Sequence, residues 1–386
     1  MAAPGLYLHL PYCARICPYC DFAVLPGRPQ QLAAHVDLLL AEMRLARDEG
    51  SFAGAAFDTV YLGGGTPSLA PPEEIGRLLE GARELLGARP DAWITLEANP
   101  EHVTEEAAAA WRDLGIAALS LGVQSFAHAD LAFLGREHGP EAGADAVRLA
   151  LAAGFPWVSL DLIYGLPGQS EEEWQRNLET AVALAPHHLS CYQLTIHERT
   201  PFGFRAARGE LAEAPEPAQA RLFSLTQKVL SCLGFAPYEI SNFARRPEHR
   251  SRHNRKYWDH TPYLGIGLGA HSFAWNPRGP RRWWNERKIR PWTAKVEAGE
   301  RPLAGEEALG PVALRLEAVL LGLRTAEGID LERFRERYGL DLAATNQRLL
   351  ALLAAEELLE VTGGRLRPTP GGMAVADGLA ARFALA

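Results

Sequence analysis

Residues 7–20 read Tyr7-Leu8-His9-Leu10-Pro11-Tyr12-Cys13-Ala14-Arg15-Ile16-Cys17-Pro18-Tyr19-Cys20. The first of them form a short apolar run that is typical of a buried strand. Three cysteines follow, spaced by three and then two residues. Thiolates at this spacing can hold an iron–sulfur cube, and because four ligands close such a cluster, three leave one iron open. The alternative is a structural zinc site with His9 as fourth ligand, which the loop suits poorly because no second ligand pair follows it.

Outward from this loop, short apolar runs alternate with amphipathic stretches across residues 1–205. The predicted strands are Leu6–Leu10, Thr59–Leu62, Trp93–Glu97, Ala117–Leu121, Trp157–Leu162 and His188–Leu194. The predicted helices are Gln31–Asp48, Pro72–Leu86, Thr104–Leu114, Glu141–Ala153 and Glu171–Leu184. Strands separated by helices form βαβ units around a parallel sheet. The sequence therefore predicts an α/β fold, an open or closed barrel, with functional groups at the carboxyl ends of its strands.

The pattern changes beyond residue 205. A long helix is predicted at Pro215–Gly234, and a loop-rich segment at Pro237–Arg290. Further on, the pattern predicts helices at Pro311–Arg324, Asp330–Tyr338 and Asp341–Leu358, a hairpin at Glu360–Arg367 turning at Gly363-Gly364, and a last helix. We expect a barrel at residues 1–205, a barrel extension at 206–300 and a smaller helical, winged-helix-like domain at 301–386.

Composition narrows the functional classes. The formal net charge of −8 disfavours a general nucleic-acid binder. The mixture of arginines and tryptophans at Arg278–Arg290 is read first as a solvated face, second as a tetrapyrrole contact and last as a nucleic-acid site. No apolar run reaches the roughly 18 residues that span a bilayer, and Met1–Gly5 shows no export signal. We expect a cytoplasmic protein in which the isolated Cys191 and Cys232 are buried structural residues.

The cysteine spacing after a first strand resembles the signature of the radical S-adenosylmethionine (SAM) family. This resemblance implies a partial (β/α)6 barrel with a 4Fe-4S cluster on Cys13, Cys17 and Cys20, and with SAM chelating the open iron. Leu62–Ser68, with three consecutive glycines, ends the second strand and resembles the family's SAM-binding turn. Glycines let a ligand approach the backbone closely. The residues implied there are Gly64, Gly65 and Thr66.

Later strand ends carry further matches to one branch of this family, the coproporphyrinogen dehydrogenase-like proteins. The resemblance implies SAM contacts from Glu97, Gln124, Arg136 and Asp161. It also implies cofactor contacts from Tyr7, Tyr19 and Phe22, which lie before or beside the cysteines. Taken singly, each of these would more often be a structural residue. Asp161 lies inside an apolar strand, where a carboxylate is costly unless it has a partner.

The branch contains oxygen-independent coproporphyrinogen III dehydrogenases and haem chaperones. The dehydrogenases usually continue the motif as Cys-x-Cys and carry an amino-terminal extension, whereas this chain has Phe22 at that position and twelve residues before Cys13. Both departures favour a chaperone that binds haem and passes it to an acceptor such as a respiratory haem protein. The resemblance implies an electron donor for the cluster. Productive SAM cleavage stays open, and a radical decarboxylase is the alternative.

One further motif agrees with the chaperone interpretation. His253-Asn254-Arg255-Lys256-Tyr257-Trp258 resembles a His-Asn-x-x-Tyr-Trp motif of the chaperones. Imidazole is a good haem ligand, and aromatic rings can contact a porphyrin face. Haem contact is therefore predicted for His253, Asn254, Tyr257 and Trp258, although a surface loop that seals the barrel is the plainer alternative. His271 is a second candidate.

Overall fold

The computed structural model describes residues 2–27, 31–276 and 279–386. Arg278, the first residue of the predicted arginine- and tryptophan-rich stretch, lies outside these ranges. Within them, no helix combines the length and the apolar character needed to cross a membrane.

Strands of the described chain fall into one large sheet and two small ones. In chain order they are β1 Gly5–Leu10, β2 Tyr12–Cys13, β3 Leu25–Pro26, β4 Phe57–Gly64, β5 Ala88–Ala98, β6 Ile116–Gln124, β7 Trp157–Tyr164, β8 His188–Gln193, β9 Ala236–Pro237, β10 Asn242–Ala244, β11 Tyr263–Ile266, β12 His271–Asn276, β13 Gly279–Asn285, β14 Leu303–Ala308, β15 Ile329–Asp330, β16 Leu359–Thr362 and β17 Arg365–Pro368. The large sheet has the order β14-β13-β12-β11-β1-β4-β5-β6-β7-β8-β10-β9. Its centre, from β11 to β8, is parallel throughout.

Helices connect the parallel strands and cover the sheet. They are α1 Leu32–Glu49, α2 Pro72–Leu86, α3 Glu105–Asp113, α4 His128–Phe133, α5 Pro140–Ala152, α6 Glu171–Ala183, α7 Pro201–Ala207, α8 Glu216–Cys232, α9 Arg255–Trp258, α10 Ile289–Glu297, α11 Pro311–Leu323, α12 Leu331–Tyr338, α13 Leu342–Thr345, α14 Gln347–Ala355, α15 Pro370–Ala374 and α16 Ala376–Ala380. Two of them begin with a side-chain cap followed by acidic residues: Thr104 caps α3, and Ser170 forms a capping box with Glu173 on α6.

The register of the parallel strands separates an apolar face from a polar one. Leu8, Leu62, Leu96 and Leu119 are cross-strand neighbours, and each is fully buried in the main hydrophobic core. Burying one such side chain stabilises the fold by roughly 1.5–3 kcal/mol. Because side chains alternate along a strand, the next residues point to the other face, which carries tyrosines, serines and the carboxylates of the site. The predicted α/β partial barrel is confirmed.

Three local predictions were wrong. Cys232, which was expected to be buried, is exposed at the end of α8, whereas Cys191 is buried as expected. Pro237–Arg290 is not mainly loop, because β10 to β13 extend the barrel sheet there, with β11 pairing parallel to β1. Asp341–Leu358 is not one helix. The Asn346 side chain donates to the carbonyl oxygens of Leu342 and Ala384 and accepts from the backbone N–H of Ala384, which separates α13 from α14.

The carboxyl-terminal residues form a second hydrophobic cluster of their own. Buried residues from α11 to the end of the chain pack together, including Val319, Phe334, Leu353 and Leu379. A three-stranded antiparallel sheet, β15-β17-β16, contributes Leu366 to this cluster. The predicted hairpin turns at Gly363-Gly364, where both glycines have positive φ. Helices and this small sheet together form the winged-helix-like arrangement that was predicted.

Candidate cluster and SAM site

The cysteine loop follows β1 at the carboxyl edge of the sheet. Cys13 ends β2, which pairs with β3, and its carbonyl oxygen accepts a hydrogen bond from the Gly27 N–H at 3.0 Å. A turn joins the other two cysteines, because the Cys20 N–H donates to the Cys17 carbonyl at 3.1 Å. All three thiols line one cavity of about 780 Å³. Burial raises the pKa of the Cys13 thiol, against a hydrogen bond from Thr66, and raises the pKa of Cys20 to about 11.

His9 does not complete a zinc site with these cysteines. One ring nitrogen, Nδ1, is hydrogen-bonded to the Tyr7 hydroxyl at 3.0 Å, and Nε2 lies 2.9 Å from the Ala23 carbonyl. Both nitrogens are therefore occupied. Across the described ranges, no three His, Cys, Asp or Glu side chains are grouped to share one metal ion. A 4Fe-4S cluster does not need three side chains around one ion, because each thiolate binds a different iron of the cluster.

The glycine turn faces the cysteine loop. The Gly65 N–H donates to the Leu10 carbonyl at 2.8 Å, and the Thr66 N–H donates to the Tyr12 carbonyl at 2.9 Å. A Cβ on Gly65 would stand 2.7 Å from the carbonyl carbon of Pro11, so a larger residue would push the two segments apart. Gly64 has a φ of 113°, a conformation that glycine adopts readily. The turn therefore holds the loop at the strand ends.

Glu97 lies beside this turn at the end of β5. Its Oε1 accepts from the Tyr61 hydroxyl at 2.8 Å, and its Oε2 accepts from the Gly64 N–H at 3.2 Å. Burial raises the pKa of Glu97 to about 7, and the nearby Asp161 adds to the rise. Asp161 itself accepts from the Ser120 hydroxyl at 3.1 Å, and burial raises its pKa to about 6. Two buried carboxylates thus share the floor of the cavity.

Arg136 crosses the cavity from the loop after α4. Its Nη2 donates to Asn99 Oδ1 at 2.7 Å and to the Gly122 carbonyl at 3.0 Å, and its Nη1 lies 3.6 Å from Cys17 Sγ. Its Nε is buried without a hydrogen-bond partner among the described residues. A buried donor of this kind is costly. It indicates that an acceptor on a bound molecule belongs there.

Gln124 carries backbone strain at the end of β6. Its φ is 68°, in the left-handed region that non-glycine residues rarely occupy. Such strain persists where surrounding contacts over-determine it, and it concentrates at ligand sites. The Gln124 side chain reaches into the cavity, since a Cβ on Gly122 would stand 3.1 Å from its Nε2.

The structure brings together all the predicted cofactor residues. The remaining ones, Tyr7, Tyr19 and Phe22, line the same cavity. Tyr7 is hydrogen-bonded to His9, Tyr19 is partly buried beside Phe202, and Phe22 is 70% exposed. These residues fit a cluster with a SAM ligand, because thiols, an orphaned guanidinium N–H and buried carboxylates face one space.

The predicted haem segment lies at the other end of the barrel. A Cβ on Gly5, the first residue of β1, would stand 3.0 Å from His253 Cε1. The five steps of β1 from Gly5 to Leu10 separate this point from the cysteine end by roughly 16 Å. His253 is buried, its Nδ1 bonds Thr59 Oγ1 at 2.9 Å, and its Nε2 bonds the Tyr257 hydroxyl at 2.9 Å. Neither ring nitrogen is free.

The other residues of this segment divide between two cavities. Tyr257 lines the cluster cavity. Trp258 lines a separate cavity of about 340 Å³, together with carboxyl-terminal residues. The Asn254 N–H donates to Ser251 Oγ at 3.2 Å. His271, the second predicted candidate, lines the cluster cavity.

Sequence reasoning missed three residues of the site. Tyr61 donates to Glu97, Asn99 holds Arg136, and Tyr192 lines the cavity beside Asp161. Strand parity could have found Tyr61, which is the cross-strand neighbour of Tyr7 and lies two residues before Gly63. Asn99 follows directly after β5, at the edge where functional groups were expected.

Known proteins resemble both the fold and the sequence. Profiles for the Radical SAM superfamily and the HemN C-terminal domain match residues 7–181 and 313–375. The solved structure of coproporphyrinogen III oxidase (HemN) from Escherichia coli superposes with a TM-score of 0.82. At 24% identity, over 98% of this chain and 89% of that one, it supports the fold alone.

Several relatives that are more similar in sequence are heme chaperones. The heme chaperone HemW of Mycobacterium tuberculosis is 39% identical over 97% of this chain and 93% of its own length. HemW of Escherichia coli is 39% identical over 71% of both chains. The chain therefore belongs to the HemW family within the radical SAM superfamily.

Proposed function

We propose that this chain is a cytoplasmic haem chaperone, which binds haem together with a SAM-ligated 4Fe-4S cluster and passes haem to an acceptor protein. The observation that carries the proposal is the 39% identity with a heme chaperone over 97% of the chain. A thiolate-bound cluster also suits a reducing compartment. The acceptor would be a respiratory haem protein, and a separate redox protein would reduce the cluster.

In this proposal, Cys13, Cys17 and Cys20 would hold the cluster, and the cluster would supply one-electron chemistry to SAM. Arg136 presents its unpaired Nε donor to the SAM carboxylate. Glu97 and Asp161 accept from amine or ribose donors on the cavity floor. Both carboxylates have raised pKa values, of about 7 and about 6, so donors on the ligand would favour their charged forms.

The glycine turn and the aromatic residues position the same ligand. Gly64, Gly65 and Thr66 would approach the amino-acid part of SAM through the backbone. Gln124 projects into the cavity from its strained backbone position. Tyr7, Tyr19 and Phe22 would exclude water around the cluster.

Haem contact by the His253–Trp258 segment stays a prediction. Asn254 is partly accessible and Trp258 lines the second cavity, so both could contact a ligand. His253 could ligate iron only after losing a hydrogen bond to Thr59 or to Tyr257. Each such loss in a buried site costs about 1–3 kcal/mol.

Haem transfer and porphyrin chemistry are tested on the same preparation. Cluster-loaded protein is mixed anaerobically with haem and then with the apo form of a respiratory haem protein. We expect the haem absorbance to move to the acceptor. In parallel, coproporphyrinogen III is added with SAM and a reductant, and we expect no protoporphyrinogen. Its appearance, or an absence of haem binding, would overturn the proposal.

The Cys17→Ala variant is the cluster control. Its remaining two thiols cannot hold the cube as three do, so iron and sulfide content should fall sharply while the circular dichroism of the barrel stays the same. The Cys232→Ala variant is the matched comparison, because Cys232 is exposed on α8, outside the cavity. Equal iron content in all three proteins would contradict the ligand assignment.

A further inference from the structure

We propose that His271, which lines the cluster cavity, ligates the haem iron, and that Phe22 and Arg287 of the same cavity lining receive the porphyrin face and a propionate. This inference rests on the proposed haem-chaperone function and assigns its iron ligand to a position away from the His253 motif.

His271 has an imidazole that is free to bind a metal. It is exposed, it lines the cavity, and neither ring nitrogen has a hydrogen-bond partner in the described ranges. The other lining histidines with described side chains are His9 and His197. Since both His9 nitrogens are hydrogen-bonded, only His271 and His197 offer a free nitrogen to a ligand in this space.

The imidazole of His271 packs against an aromatic ring on the sheet. It stacks on the Trp284 ring with 5.9 Å between centroids and 24° between planes. The two residues are cross-strand neighbours, and Trp284 in turn pairs with Gly305. A Cβ on Gly305 would stand 2.5 Å from the indole, so this glycine lets the ring lie flat. His197, by contrast, lies in the segment between β8 and α7. A ligand fixed by packing is better preorganised.

Charge around His271 favours both the neutral ring and an anionic ligand. The partial desolvation of the ring in the cavity wall, together with Arg282 and Arg287, lowers the pKa of His271, although Glu307 acts in the opposite direction. Its neutral form, which binds metals, therefore prevails at neutral pH. The Arg287 guanidinium also lines the cavity and donates to the Asp21 carbonyl at 2.5 Å. A porphyrin propionate could pair with the same guanidinium, because Arg suits carboxylates geometrically.

The cysteine loop supplies the apolar part of this surface. Phe22 is 70% exposed and Ile16 is 37% exposed, and both line the cavity mouth. The loop after β11 contacts this region directly, since a Cβ on Gly269 would stand 3.2 Å from both Ala23 Cβ and Arg287 Cγ. An exposed apolar rim next to a free imidazole fits the edge of a flat macrocycle.

The test is a haem titration of cluster-loaded, full-length protein under anaerobic conditions. Losing groups that support a metal ligand commonly weakens binding about 10- to 100-fold. We expect His271→Ala to weaken haem affinity by at least that factor, and to change the Soret band and the ferric electron paramagnetic resonance spectrum. Added imidazole should restore the wild-type spectrum. The exposed His197→Ala variant is the matched control and should titrate like wild type.

The outcomes separate this inference from the proposed function. If His271→Ala keeps the wild-type spectra and haem affinity, the assignment of His271 as iron ligand is wrong, while the proposed chaperone function still stands. The assignment is also wrong if the Soret band and the ferric electron paramagnetic resonance spectrum change in His197→Ala or His253→Gln but not in His271→Ala. If wild type binds no haem, both proposals fall together. Cluster content, measured as iron and sulfide per chain, verifies that each variant is folded.

Discussion

Replacing Arg136 with lysine separates the charge of this side chain from its hydrogen-bond geometry. Both side chains are cationic, so the Coulomb field at the cavity changes little. Lysine lacks the Nε donor of arginine. In Arg136 this Nε is buried and has no hydrogen-bond partner among the described residues. A charge-assisted hydrogen bond contributes about 1.5–3 kcal/mol. If Nε binds the SAM carboxylate, the dissociation constant for SAM should rise about 10- to 100-fold, because 1.4 kcal/mol is tenfold.

Equilibrium dialysis of labelled SAM against cluster-loaded protein measures this change. The Arg15→Lys variant is the matched control, because Arg15 lines the same cavity but is exposed. Its SAM affinity should equal that of wild type. Arg136→Lys with an unchanged dissociation constant and normal iron content would refute the assignment of Nε to the cofactor.

The Arg136→Ala variant tests the structural part of the same network. It leaves Asn99 Oδ1 and the Gly122 carbonyl without their donor. Both acceptors are only partly buried, so water can replace the lost donor. At about 0.5–1.5 kcal/mol for each lost hydrogen bond, the free energy of unfolding should fall by about 1–3 kcal/mol. Chemical unfolding of the cluster-free protein measures this loss independently of SAM.

Two further predictions concern the stability of the cluster-free protein. Burial raises the pKa of Glu42 from 4.5 to about 7, so the folded state retains a proton that the unfolded state releases. The free energy of unfolding should therefore fall by about 3 kcal/mol between pH 4.5 and 7. Glu42→Gln should remove that part of the pH dependence, and identical urea profiles for the two proteins would contradict this. Ser170→Ala removes the hydroxyl of a capping box and should lower the same free energy by about 1 kcal/mol, whereas the distant Ser51→Ala should change it little.

The central strands were predictable because their signal is local. Each is a short apolar run followed by an amphipathic helix, and β7 begins at Trp157 as predicted. The strands β12 and β13 were not predictable in this way. Arg281 and Arg282 interrupt any apolar run there, and pairing with β12 and β14 makes the segment a strand. Such pairing involves residues distant in sequence, which a reading of local periodicity does not contain.

The site residues also divide into those that local sequence signals could predict and those that depend on contacts between distant residues. Strand ends and cysteine spacing were enough to place Glu97, Gln124 and the thiols near one another, because the carboxyl ends of parallel strands share one edge. The location of His253 required the fold itself. The His253 segment follows β10 and packs against the start of β1. This packing makes Thr59, which lies 194 positions away in the chain, a hydrogen-bond partner of His253.

The positions of the free and the buried groups bear on whether this fold acts as a catalyst or as a carrier. Glu97, Asp161 and Tyr7 are enclosed deep in the barrel, where a ligand must enter completely before it meets them. Phe22 and His271 stand at the rim and are open to solvent. Cargo bound at the rim keeps an exposed edge that a second protein can reach, whereas a substrate held on the floor does not. A haem bound at the rim, as proposed, would therefore allow direct transfer while SAM stayed enclosed beneath it.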